Sequence, residues 1–209
     1  MGDWAIEKVV EVAGRLAAQL AAQSEELVRL AEQLRDDTEL AEFRLPMKNL
    51  DQPWYEAAHW YGAYNSHPRY CEDWNLESGG NTDLGEPLVA PMTGIVINAA
   101  DYGGSWGKIL RILRWASTGE LVVWMGAHLD RMDVKAGDLV QIGDPTGTIG
   151  TGNGRYAAHL HEQISVGEVA APTTFGADRR FDFRQPDEFY IEHGVDEEVV
   201  RHAVERDAK

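Results

Sequence analysis

The motif His159-Leu160-His161 is the first candidate for chemistry in this 209-residue chain. It follows a Gly/Thr-rich loop, Gly147-Thr148-Ile149-Gly150-Thr151-Gly152-Asn153-Gly154, and precedes the strand-like Gln163-Ile164-Ser165-Val166. Residues two apart in a strand point to the same face, so both imidazoles would enter one space. Alone, such a pair is more often a solvated strand face. Two further residues add to it. His128 closes an apolar run in Met125-Gly126-Ala127-His128-Leu129, and Asp73 lies in Glu72-Asp73-Trp74-Asn75. Neutral imidazole and carboxylate are zinc donors, and a catalytic zinc keeps one position for water.

The elements that must position these residues are strands. From about residue 70 to 166 the pattern has period two, with frequent glycines. Leu88–Ala90, Ile95–Ile97, Ile109–Leu113 and Leu121–Trp124 read as strands. Asp101-Tyr102-Gly103-Gly104 and Ser117-Thr118-Gly119 read as turns. Close strands with short turns imply a mainly β fold, α+β overall, with a compact antiparallel sheet or barrel. Four segments follow: a helical one over 1–43, an aromatic and proline-rich arm over 44–66, the β domain over 67–170, and a C-terminal arm with an acidic helix over 171–209. The first helix spans about 4–35, with a seam of period 3.5 running from Val9 to Leu34 and one polar position, Gln23. It either packs on its own domain or dimerises. The arm's Trp54, Tyr55, Trp60, Tyr61 and Tyr64 either pack on the domain or wall a groove.

A net charge of −16 argues against nucleic acid, which needs a concentrated Lys/Arg face. No apolar run approaches the roughly 20 residues of a bilayer span, and the first residues carry no signal-peptide pattern. The expectation is a protein cytoplasmic as synthesised, or exported or released by another route. One cysteine, Cys71, permits no internal disulfide.

Taken together, Glu72-Asp73-Trp74-Asn75, Gly79-Gly80-Asn81-Thr82-Asp83-Leu84-Gly85, Pro87, Ala90 and Gly94-Ile95-Val96 resemble the first half of a lysostaphin/LytM-like metallopeptidase domain. Ala127-His128-Leu129, Gly137-Asp138, Gly143, Ile149-Gly150, Gly152 and His159-Leu160-His161 resemble its second half. The resemblance covers about 65–190. It implies a zinc endopeptidase acting on peptidoglycan peptides, with Asp73 and His161 as metal ligands. His128 and His159 match the two catalytic histidines that orient water and stabilise the oxyanion.

One position departs from the pattern. Four residues before Asp73, where the family has its first ligand, stands Arg69, and Cys71 replaces a frequent glycine. Arginine is always charged and cannot ligate zinc; it would more naturally pair bidentately with Asp73. His67 or a Cys71 thiolate are the possible substitute ligands. Two functions therefore compete. One is an endopeptidase with an atypical zinc site. The other is a metal-free pseudo-peptidase that binds wall peptides or regulates a protein partner, with the N-terminal helix as the contact. A lipoyl-type carrier, suggested by Val89-Ala90-Pro91-Met92-Thr93-Gly94, lacks a lysine at a hairpin tip.

Overall fold

The computed structural model describes residues 42–58, 71–167 and 182–204. The helix expected at about 4–35 lies outside them, as do His67 and Arg69. Eleven strands are present among the described residues: β1 Trp54–Ala58, β2 Cys71–Leu76, β3 Pro87–Val89, β4 Gly94–Asp101, β5 Lys108–Trp115, β6 Leu121–Leu129, β7 Arg131–Met132, β8 Leu139–Val140, β9 Pro145–Thr148, β10 Leu160–Val166 and β11 Asp182–Arg184. Helices follow at Pro186–Glu192 and Glu197–Val204.

The main sheet runs β1-β2-β10-β6-β5-β4-β8, and β11 pairs with the far half of β10. A second sheet, β3-β9-β7, packs beside it. Every pairing is antiparallel. This is the mainly β, α+β fold the sequence pattern indicates; the sheets are open rather than closed into a barrel. The segment read as an arm over 44–66 supplies edge strand β1, and the segment after 170 supplies β11. The sheet thus extends past both expected boundaries, 67 and 170.

The core follows from alternation. Leu110 and Ile112 on β5, Val122 and Trp124 on β6, Leu160 and Ile164 on β10 and Trp74 on β2 point to one side, where Phe43, Leu45, Met47 and Phe189 cover them. Removal of this apolar surface from water is the main stabilising term, at about 25 cal/mol per Å². The acidic last helix is not wholly solvated: Val200 is fully buried. Two registers matter for chemistry. Asp73 lies directly opposite His161, and Glu72 directly opposite Glu162. Neighbouring residues alternate faces, so the first pair points to the front of the sheet and the second to the back.

Candidate active site

Asp73 and His161 meet because their strands pair in that register. His161 Nδ1 is 2.9 Å from Asp73 Oδ1. His159, at the mouth of β10, brings its Nε2 to 3.7 Å from the same oxygen. His128, at the end of β6, sets its ring centroid 4.7 Å from His159 and 5.4 Å from His161. The structure thus gathers the four residues singled out by spacing from three strands into one cluster. Cys71 lies on the same strand as Asp73, two residues earlier, and is fully buried. Burial, then the charges of Asp73 and Glu72, push its thiol well up, which opposes a thiolate.

His128 and His159 are each held by backbone. His128 has φ 64, a left-handed conformation that non-glycine residues rarely adopt and that costs about 1–3 kcal/mol. Its N–H donates to Trp106 O at 3.2 Å, and its Nδ1 lies 3.3 Å from the same oxygen. With Nδ1–H donating there, Nε2 keeps its lone pair. Burial, then neighbouring His161 and His159, lower the His128 pKa to about 3, so the ring is neutral at physiological pH. His159 repeats the arrangement: its Nδ1 lies 2.9 Å from Ala157 O, which orients Nε2 toward Asp73. The peptide before it is pinned twice, with Asn81 Oδ1 accepting from Ala158 N at 2.8 Å and Asn75 Nδ2 donating to Ala158 O at 2.9 Å.

Sequence reading missed the aromatic surround. The Trp106 ring stacks near His128 at 6.0 Å and meets His161 edge-on at 5.3 Å. The half-exposed Tyr156 ring lies 5.0 Å from His128 and 5.6 Å from His159. Both sit in loops of small residues, Gly104-Ser105-Trp106-Gly107 and Gly152-Asn153-Gly154-Arg155-Tyr156. A large aromatic inside a glycine turn was the available signal. The two loops touch closely: a Cβ on Gly152 would stand 2.4 Å from Ser105 O, and Asn153 Nδ2 reaches Gly104 O at 3.4 Å.

The donors fit a zinc site in part. Asp73 and His161 offer a carboxylate and an imidazole at one point, as zinc requires. Among the described residues no group of three or more His, Cys, Asp or Glu is arranged to hold a metal. Both His67 and Arg69, which bear on a third ligand, lie outside those residues.

Antiparallel strands thus gather three histidines and an aspartate at a shared mouth. Residues 80–172 match peptidase family M23. Among solved structures, the antimicrobial peptidase lysostaphin from Staphylococcus simulans is 21% identical over 74% of this chain and 55% of that one, with a TM-score of 0.54. A solution structure of lysostaphin is 20% identical, covering 71% of this chain and 55% of that one, at TM-score 0.50. A zinc containing peptidase from Vibrio cholerae is 21% identical, covering 61% of this chain and 37% of that one, at TM-score 0.47. The chain spans about half the length of the lysostaphin chains it matches, at 55%. No curated protein matches this sequence. Among the described residues no helix is long and apolar enough to cross a membrane.

Proposed function

We propose that this domain is a zinc-dependent endopeptidase of atypical metal site that acts on peptidoglycan peptides. The observation that carries the reading is the convergence of Asp73, His128, His159 and His161 on one mouth of the sheet. Asp73 and His161 would hold the metal, and His67 would complete its ligands in place of Arg69; Cys71, buried and arranged in no three-donor group with them, is set aside. Bound zinc would lower the pKa of a water and polarise the peptide carbonyl.

The chain's own residues supply the proton handling. His128 and His159 each face the site with Nε2, their Nδ1 hydrogens directed to the Trp106 and Ala157 carbonyls. Each Nε2, where it carries its lone pair, would accept a proton from an attacking water. Once protonated, the same nitrogen donates to the developing oxyanion or to the leaving amine. Trp106 and Tyr156 would flank the peptide and exclude water from the reacting bond.

A second reading keeps the groove and discards the metal: a pseudo-peptidase in which Arg69 pairs with Asp73, and the domain binds wall peptides or regulates a partner through the N-terminal helix. It draws support from Arg69, a residue that cannot ligate zinc, at the position where the resembled family has its first ligand. Elemental mass spectrometry on protein dialysed against trace zinc separates the two. Near one zinc per chain is the expected result, with loss in His161→Ala. No zinc on a folded chain would overturn the enzyme reading in favour of the second.

A further inference from the structure

We infer that Glu162, on the back of the sheet, is a positioning residue for the Asp73–His161 pair, and that the C-terminal segment 182–192 is the clip through which it acts. This rests on the reading of Asp73 and His161 as the site.

Alternation sets the geometry. Glu72 and Glu162 are cross-strand partners one residue from Asp73 and His161. Both carboxylates are fully buried. Burying a carboxylate is costly unless it is hydrogen-bonded, and Glu162 meets that cost with three donors from three elements. Trp74 Nε1 on β2 donates to its Oε2 at 2.9 Å. Trp124 Nε1 on β6 and the Tyr190 hydroxyl on the Pro186–Glu192 helix donate to its Oε1, at 2.5 and 2.6 Å. Glu162 thereby ties β2, β10 and β6, the strands that carry Asp73, His161 and His128, at the row behind the site.

The segment 182–192 holds Glu72 of the same row by two hydrogen bonds and meets the domain at two further places. Gln185 Nε2 and the Asp187 backbone N–H both donate to Glu72 Oε1 at 2.9 Å. β11 extends β10 at Ile164–Val166. Phe189 is buried against Phe43, with ring centroids 5.0 Å apart. Replacing the whole network with apolar groups is often neutral or stabilising, whereas removing Glu162 alone strands its three buried donors. What three directional bonds add is one fixed spacing of the three strands.

The test uses the full chain without metal or peptide, so it stands or falls apart from zinc binding and cleavage. Long-range nitrogen–proton spectra of the histidine rings are recorded for wild type, Tyr190→Phe, Glu162→Gln and Val140→Ala. The last is a core change on the sheet's far edge. His161 is assigned by its loss in His161→Gln. Both network variants should shift and broaden the His161 ring signals, Glu162→Gln more than Tyr190→Phe, with Val140→Ala leaving them in place. Should Glu162→Gln not fold, the milder Tyr190→Phe decides. Unchanged His161 signals in the folded network variants, or an equal shift in Val140→Ala, would overturn the proposal.

Discussion

The two faces of the β2–β10 ribbon are built from the same four consecutive register positions, yet they treat polar groups in opposite ways. On the front, Asp73 and His161 make one mutual hydrogen bond and stay close to a mouth where Asp73 is 17% exposed. On the back, Glu72 and Glu162 are sealed, and Glu162 is bound by three donors. The difference teaches which face tolerates change. A group left near water can lose a partner and be solvated; a sealed group cannot.

The largest contrast comes from removing one carboxylate on each face. Glu162→Ala strands three buried donors and should cost about 3–5 kcal/mol in urea denaturation, in the range for breaking a buried charged network. Asp73→Asn should cost less than about 1 kcal/mol, because its loss is local and partly solvated. Equal losses would erase the distinction between the faces. Next, Gly152→Ala tests the loops in front of the ribbon. With φ 54 and a Cβ 2.4 Å from Ser105 O, it should lower stability by about 1–3 kcal/mol, read as a fall in Tm. A neutral result would mean the two loops separate freely.

Proton linkage sharpens the contrast further. Burial raises the Glu162 pKa to about 7, while the hydroxyl of Tyr190 and the indoles of Trp124 and Trp74 restrain the rise. An unfolded glutamate titrates near about 4.3. The folded state therefore holds the proton more tightly, so its contribution is full below about 4.3 and is lost as pH rises toward about 7. Stability measured across that window should fall with pH in wild type, and the slope should flatten in Glu162→Gln. The smallest effect lies far from the ribbon, at Glu42. Burial there would raise its carboxyl, but hydrogen bonds from Ser117 and Arg114 outweigh it and lower the pKa. Its contribution has the opposite sign: present above the ordinary carboxylate range and lost as pH falls. Glu42→Gln should cost about 1 kcal/mol at neutral pH and little in acid; an equal cost at both would remove the linkage.

Legibility in the sequence divided along the same line. Strands β4, β5, β6 and β10 showed through as apolar runs between glycine turns, because a half-buried strand must alternate or fill. β1 did not, since Trp54 and Tyr55 directly after Pro53 suit an arm equally well, and only pairing with β2 makes it a strand. The front residues were readable because a site needs particular side chains at fixed spacing. Glu162 was not. Its donors come from positions 28, 38 and 88 residues away, and no local pattern announces that a carboxylate will be buried. Trp106 and Tyr156 fall between: each follows a glycine-bearing stretch that reads as a turn or loop, but the rings' approach to the histidines depends on the closeness of two distant loops.

β10 has a divided edge. Its first half is covered by β2, and its second half, Ile164 to Val166, by the three residues of β11. A form of the chain cut after Gly167 would leave that second half as a bare row of peptide donors and acceptors beside apolar side chains. Such a row is a template for pairing between molecules. The C-terminal strand thus also covers this stretch of edge, and trimming it away would expose the edge to pairing with another sheet.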